Sequence, residues 1–377
     1  MRLADLEPPA RFRTSAEVFD EMRSACEANP DLARFETIGR SEEGRPIAGV
    51  TLGFGPRTVT LVAGAHADEP VGPETLRTLV LEGLAARGWG APNGGLEGLF
   101  ERFTFRVVPH VNPDGEARNR AWIERWDASR PAQTLGHFLR GRRREPPGRD
   151  VEFGYPVMRP ENAAASRFLF PYEPVALHAS LHGMGFSEGA LLLVEKDWID
   201  HAAVRDLRAG WERAAAAAGL RLHDHDRGSE KGFAYGGPGF WTTPRGEAMR
   251  EHFLAEGDPE TASQFFLSSM ETAVLTGRDP AGHERGGAGE RPPTPLCLVT
   301  ELPLFVLDAE YDREPGRPAL LEAFRERTPA LVEAAAEGDS LAPLLDGLGL
   351  RCLDLGTAVR LQLRALDLGL AAVGGAA

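Results

Sequence analysis

The stretch Ala63-Gly64-Ala65-His66-Ala67-Asp68-Glu69-Pro70 constrains this chain more than any other. It follows the apolar, β-prone run Val59-Thr60-Leu61-Val62 and precedes a helix-like segment at residues 71–85. A strand that ends in small residues, with His and Glu three apart just beyond it, sets two potential metal ligands at the carboxyl end of a buried strand. α/β sheets usually hold their active sites there. A catalytic zinc takes three protein ligands and keeps an open position, so a turn offering two ligands needs a third from elsewhere. The rest of the chain is therefore expected to supply a His and a base.

Further buried strands are expected at residues 103–109, 175–181, 190–194 and 296–304, and a hairpin at an edge is expected over 35–53. Helical spacing marks residues 15–29, 74–87, 161–170, 202–218, 319–337 and 357–372, with Ser15 placed to cap the first helix and Asn29-Pro30 to stop it. Strand, helix and strand from 57 to 109 form a βαβ unit, which implies parallel pairing. Residues 116–150 are polar and Arg-rich and predict a long surface excursion; 88–98, 223–246 and 277–295 read as loops. The expected fold class is α/β: a mixed, mostly parallel twisted sheet flanked by helices, with a catalytic domain over 1–312 and a helical C-terminal extension over 313–377 packed on it.

A formal net charge of −14 argues against nucleic acid or an anionic membrane as the main partner. The N-terminal residues carry no apolar signal segment and no uncharged apolar run approaches ~20 residues, so a cytoplasmic protein is expected. Cys26, Cys297 and Cys352 are too few and too widely spaced for a disulfide framework and are expected to be buried thiols.

Four ionisable residues, His66, Glu69, His182 and Glu301, sit at the end or in the interior of expected core strands. An ionisable group there is costly to bury unless it binds a metal or does chemistry. His178 competes with His182, since residues four apart on a strand face the same way. His110 reads as structural, able to orient a ligand, whereas His223 and His225 are expected to be exposed in their loop.

These motifs resemble those of the M14 zinc carboxypeptidase family. Residues 38–47 resemble its N-terminal hairpin, His66-Ala67-Asp68-Glu69 its H-x-x-E zinc motif, and Asn112-Pro113-Asp114-Gly115 its N-P-D-G turn. Ser180-Leu181-His182-Gly183 is similar to the strand end that brings its second His, and Val299-Thr300-Glu301-Leu302 to the strand of its catalytic Glu. The resemblance implies one zinc ion held by His66, Glu69 and His182, with Glu301 as general base and a peptide or small amide as substrate. It favours His182 over His178, and it implies an Arg that stabilises the oxyanion, with Arg144 as candidate and Arg118, Arg120 and Arg143 as rivals. Asn112 and Glu152 are the expected substrate-binding residues, and Tyr235 is a weaker match to the family's substrate-covering Tyr.

The chain departs from the family at the carboxylate clamp. Where the family carries Asn and Arg, this chain has Glu152 and Phe153, and an acid with an aromatic cannot grip a carboxylate as Arg does. The departure keeps open a deacylase of acyl-amino acids or other non-peptide amides, as in the desuccinylase-like branch, and a metal-free binding protein on the same scaffold.

Overall fold

Apolar, β-branched residues fill Arg57–Ala63 on both faces: Val59, Leu61 and Ala63 enter one apolar layer and Val62 the other. Such a strand has to lie inside a sheet covered on both sides. It does so in the computed structural model, which describes residues 1–86, 96–170, 174–277, 295–310 and 314–374. Among the described residues one sheet holds β1 (Ala33–Arg40), β2 (Pro46–Leu52), β3 (Arg57–Ala63), β4 (Phe103–Val108), β5 (Val175–Ser187), β6 (Gly189–Val194), β7 (Arg221–Leu222), β8 (Phe240–Thr242), β9 (Leu296–Leu307) and β10 (Leu350–Cys352). The order is β1-β2-β4-β3-β5-β9-β6-β7, with β8 beside β6 and β10 beside β9. Strands β4, β3, β5 and β9 run parallel at its heart, whereas β1–β2, β2–β4, β6–β9 and β9–β10 are antiparallel. The sheet is mixed with a parallel centre, as the sequence predicts.

The helices are α1 (Ser15–Glu27), α2 (Val71–Ala85), α3 (Glu97–Arg102), α4 (Pro113–Ile123), α5 (Pro131–Gly141), α6 (Pro160–Leu169), α7 (Ala202–Ala217), α8 (Gly246–Ala255), α9 (Pro259–Ala262), α10 (Ser269–Gly277), α11 (Ala319–Glu337), α12 (Ala342–Leu345) and α13 (Leu355–Gly374). Helices α2, α7 and α13 share an apolar layer with Leu61, Leu177, Leu181 and Leu298; α6 and α10 share the opposite one with Val62, Cys297 and Val299. Among the described residues no helix is long and apolar enough to cross a membrane.

Three local expectations change. Thr14, not Ser15, caps α1, in a box with Glu17, because Thr14 takes the extended conformation a cap requires. Residues 116–150 contain most of α4 and all of α5 instead of a featureless excursion. Apolar periodicity missed α4 because its buried face is polar but paired: Asp114, Glu116 and Asn119 lie inside with Trp122. Strand β5 runs on to Ser187, since Gly183 continues the ladder opposite Leu302 of β9. Most of the loops expected at 88–98 and 277–295 lies outside the described residues. Cys26, Cys297 and Cys352 are buried thiols, as expected.

A buried ionic network ties the N-terminal segment to the helices behind the site. Glu74 of α2 accepts from the Arg13 backbone N–H at 2.8 Å and from Arg13 Nε at 2.7 Å. Arg77 donates to Glu116 Oε1 at 2.6 Å and to Ser15 Oγ at 2.9 Å, and Glu116 Oε2 accepts from the Ser15 N–H at 2.8 Å. Burial alone would raise the Glu116 pKa, but Arg77 and His110 outweigh it and bring it down to about 2. Removing one partner of a buried pair costs more than the pair contributes, because a charge is left uncompensated. Arg77→Met is expected to lower the unfolding free energy by about 3–5 kcal/mol, read from urea midpoints; a loss comparable to that of an exposed arginine such as Arg34→Met would contradict this account.

Candidate metal centre

Both halves of the site form where a strand stops pairing. Strand β3 follows β5 only as far as Ala63 opposite Leu181, and the chain then turns through Gly64 with φ +78°. A Cβ at Gly64 would lie 2.4 Å from His110 Nδ1, so this left-handed turn admits only glycine. The turn delivers His66 and Glu69 ahead of α2, and β5 delivers His182, whose side chain alternates onto the layer of Cys297 and Val299. In the β5–β9 ladder His182 stands opposite Glu301.

His66 Nδ1 lies 3.0 Å from Glu69 Oε1 and 3.2 Å from His182 Nδ1, and His182 Nδ1 lies 3.1 Å from Glu69 Oε2. The Gly183 N–H donates to Glu69 Oε2 at 3.1 Å and fixes that carboxylate. Bonds of about 2.0–2.1 Å to a tetrahedral zinc put donor atoms about 3.3 Å apart. Two imidazole nitrogens and one carboxylate already form a triangle of nearly that size, so the residues present fit such an ion in donor type and in spacing.

The outer nitrogens of the imidazoles are also held. His66 Nε2 lies 3.0 Å from Glu152 Oε2, and His182 Nε2 lies 2.8 Å from Ser180 Oγ and 3.8 Å from Glu152 Oε1. Glu152, expected at the substrate, therefore faces both imidazoles, and a carboxylate so placed fixes ring orientation. Phe153 beside it is buried against Phe265 at 5.6 Å, so the clamp position holds no guanidinium.

Charge at the site is crowded. Burial disfavours protonated His66, yet Glu69 and Glu152 outweigh burial and raise its pKa well above the ordinary value. Glu69 is pulled below the usual carboxylate range, because His66 and His182 overcome the cost of burying it. Glu301 moves the other way: burial first, then Glu69 and Glu152, push its pKa well up, and its Oε2 has no hydrogen-bond partner among the described residues. Asp150 is likewise raised by burial. Four carboxyl groups around two imidazoles make a strongly cation-seeking pocket.

The remaining expected residues take varied places. Asp68, inside the H-x-x-E turn, accepts from Arg142 Nε at 2.6 Å and lies 3.5 Å from Arg144 Nε. Arg144 keeps 61% of its side chain exposed, and its charge acts on Glu301, opposing the rise in pKa. Arg143 donates to the carbonyls of Arg140 and Arg142, Arg118 pairs with Glu43, and Arg120 pairs with Glu124. Asn112 is fully buried: its Oδ1 accepts from the Gly115 N–H at 2.9 Å and caps α4, while its Nδ2 has no hydrogen-bond partner among the described residues. His178 is held between Thr60 Oγ1 at 2.9 Å and Ser269 Oγ at 3.0 Å, away from the cluster. His110 is buried, its Nδ1 accepting from the Asn112 N–H at 3.2 Å. His223 corrects the expectation of exposure: it is buried 3.0 Å from Ser187 Oγ because its backbone pairs with Ala190 and Gly239. His225 is half-buried beside it, and the Tyr235 hydroxyl donates to Asp224 at 2.5 Å. Asp68 lies inside the H-x-x-E turn, yet only the fold pairs it with Arg142, and the sequence carries no signal for the imidazole-facing role of Glu152.

Comparison with known proteins finds similarity to zinc carboxypeptidases over part of the chain. Residues 18–152 match the family described as zinc carboxypeptidase. That segment contains His66, Glu69 and Glu152 and stops short of His182 and Glu301. Zinc carboxypeptidase A 1 of Anopheles gambiae is 29% identical over 157 residues, which is 41% of this chain and 34% of that protein. The inactive metallocarboxypeptidase ECM14 of Ajellomyces capsulatus is 30% identical over 116 residues, 29% of this chain and 18% of the relative. The chain thus spans about a third or less of the length of these curated relatives. Among solved structures, bovine thrombin-activatable fibrinolysis inhibitor in complex with tick carboxypeptidase inhibitor aligns over 97% of this chain and 98% of its own, at 13% identity and a TM-score of 0.47. Carboxypeptidase A of Helicoverpa armigera aligns over 86% and 73%, at 13% identity and a TM-score of 0.46.

The two neighbouring histidines of β5 are expected to separate cleanly. His182→Ala should lose zinc in equilibrium dialysis while His178→Ala retains the wild-type stoichiometry; the reverse pattern would place the ligand at His178. His178 has its own signature, since burial brings its pKa down to about 3. An imidazole neutral when folded and protonated near 6.5 when unfolded contributes stability that is whole above about pH 6.5 and declines by about 1.4 kcal/mol per pH unit as the pH falls. Urea midpoints between pH 7 and pH 5 should fall less steeply in His178→Asn than in wild type.

Proposed function

We propose, from the match of residues 18–152 to the zinc carboxypeptidase family, that this chain hydrolyses an amide bond in a peptide at the cluster of His66, Glu69 and His182. The observation that carries the reading is the cluster of donor atoms, with His66 Nδ1 3.0 Å from Glu69 Oε1 and 3.2 Å from His182 Nδ1, and His182 Nδ1 3.1 Å from Glu69 Oε2, on the rung of the sheet where His182 stands opposite Glu301. When bound by those three residues, zinc supplies Lewis acidity that polarises a carbonyl and eases ionisation of water. Everything else falls to the chain's own groups.

Glu301 is the general base. Burial and the neighbouring carboxylates raise its affinity for a proton, so it accepts one from the attacking water and returns it to the departing amine. Arg144, on the side of Glu301 and tethered loosely through Asp68, supplies positive charge for the oxyanion, while Arg142 anchors the same Asp68 from a more buried position. Glu152 holds the imidazole of His66 in its tautomer through Nε2.

A second reading has a specific observation behind it. Phe153 is buried in an aromatic contact where a carboxylate-gripping Arg belongs in the family, and Glu152 beside it is negative. This favours substrates whose scissile carbonyl lies away from a free carboxylate at that subsite, including non-peptide amides reached by a deacylase. The fungal relatives bear the name inactive, but His66, Glu69, His182 and Glu301 are all present here and support a working site.

Glu301→Gln is expected to retain one equivalent of zinc while turnover falls by about 10²–10⁴-fold. Loss of zinc in that variant would make Glu301 a ligand and remove the base from the scheme. Turnover of a panel of unblocked peptides, C-terminally amidated peptides and acyl-amino acids separates the two readings: unblocked peptides are cleaved fastest if the chain is a carboxypeptidase, acyl-amino acids if it is a deacylase.

A further inference from the structure

Helix α13 buries Leu361, Leu363, Leu366 and Leu370 in the apolar layer it shares with α2 and the sheet, yet it also buries Gln362 completely. A polar amide inside an apolar layer is costly unless its hydrogen bonds are made. All of the bonds that Gln362 makes reach elements that deliver the candidate ligands and base. Its Nε2 donates to the main-chain carbonyl of His182 at 2.8 Å and to Thr300 Oγ1 at 3.0 Å, next in sequence to Glu301. Its Oε1 accepts from Thr75 Oγ1 of α2 at 2.7 Å. The carbonyl of His182 can only accept, which fixes the amide's orientation.

The backbone geometry explains why an amide is needed at this point. Strand β3 leaves the sheet after Ala63, opposite Leu181, so His182 has no residue of β3 beside it. Helix α2 fills the gap, with Gly72 so close that a Cβ there would lie 2.2 Å from the Leu181 carbonyl oxygen. His182 is therefore the first residue of β5 beyond the support of its neighbour on that side, and it is a candidate ligand. Gln362 donates to the His182 carbonyl and joins β5, β9 and α2 at one point, with no hydrogen bond to the side chain of His66, Glu69, His182 or Glu301 among the described residues.

We infer that Gln362 is a positioning residue for the metal centre: from the C-terminal helix it fixes the main chain of His182 relative to α2 and β9, and so sets the spacing of the donor triangle. This rests on the metal-centre reading above. It lies outside the segment that matches the family, and it makes zinc affinity depend on a helix far from the ligands in sequence.

The test is zinc affinity, measured by chelator competition on the full chain, beside the thermal midpoint. Gln362→Met keeps the volume and removes the hydrogen bonds; Thr75→Val removes the donor to Oε1 together with that hydroxyl's bond to the Val71 carbonyl; Leu366→Ala creates a cavity on the same helix and removes none of the hydrogen bonds of Gln362. Gln362→Met is expected to weaken zinc binding about tenfold, and Thr75→Val to weaken it less but measurably. Leu366→Ala should keep wild-type affinity despite an equal or larger drop in thermal midpoint. Wild-type zinc affinity in Gln362→Met would overturn the inference, as would equal weakening in Leu366→Ala, which would reduce Gln362 to general packing. If Gln362→Met does not fold, Thr75→Val decides, and unchanged affinity there overturns it. Wild-type protein that takes up no zinc in the same assay overturns the metal-centre reading itself and is distinguished from these outcomes by needing no variant.

Discussion

The parallel ladder between β5 and β9 sets His182 and Glu301 at the same height in the sheet, and the rest of the site depends on that rung. One residue further, the Gly183 N–H reaches the carboxylate of Glu69, so the turn after β3 is referenced to the same strand. A packed parallel sheet holds such positions to fractions of an ångström without side-chain help. Ionisable groups stay in its interior because each one faces an opposite charge or a hydrogen-bond partner, and Glu301 alone among the clustered side chains keeps a buried oxygen without one.

Positive and negative charge are divided between the two sides of the cluster. Glu152 and Asp150 approach the imidazoles from the outside, while Arg142 and Arg144 converge on Asp68 beside Glu69. Burial lowers the Arg142 pKa, with Asp68 working against the fall, so this guanidinium is held close to an acidic partner and away from water. The carboxylate of Glu152 thus lies with the ligands, whereas Phe153 beside it is buried against Phe265.

Behind the site, the network of Arg13, Glu74, Arg77, Glu116 and His110 links the N-terminal segment, α2 and α4, the two helices that follow the His66 turn and the Asn112 turn. The same network hid α4 from hydropathy: a helix whose buried face carries Asp114, Glu116 and Asn119 shows no apolar stripe. His223 was misplaced for a related reason. Its segment looks like a polar loop, but strand-like pairing with Ala190 and Gly239 draws it inside.

What the sequence determined by itself is local. Runs such as Val59–Val62 and Leu296–Val299 can only be buried strands, Gly64 ahead of His66 marks where β3 ends, and His66 and Glu69 are near enough in the chain to be recognised as one ligand pair. Tertiary structure decided what depends on residues far apart in the chain. It chose His182 over His178 by bonding His178 to Thr60 and Ser269, turned Asn112 inward as a helix cap, gave Glu152 to the imidazoles, and brought Gln362 to the carbonyl of His182. Spacing in a sequence encodes which way neighbouring side chains point. A hydrogen bond across 180 residues depends instead on which helix fills the gap left by a departing strand, and that is a property of the packed whole.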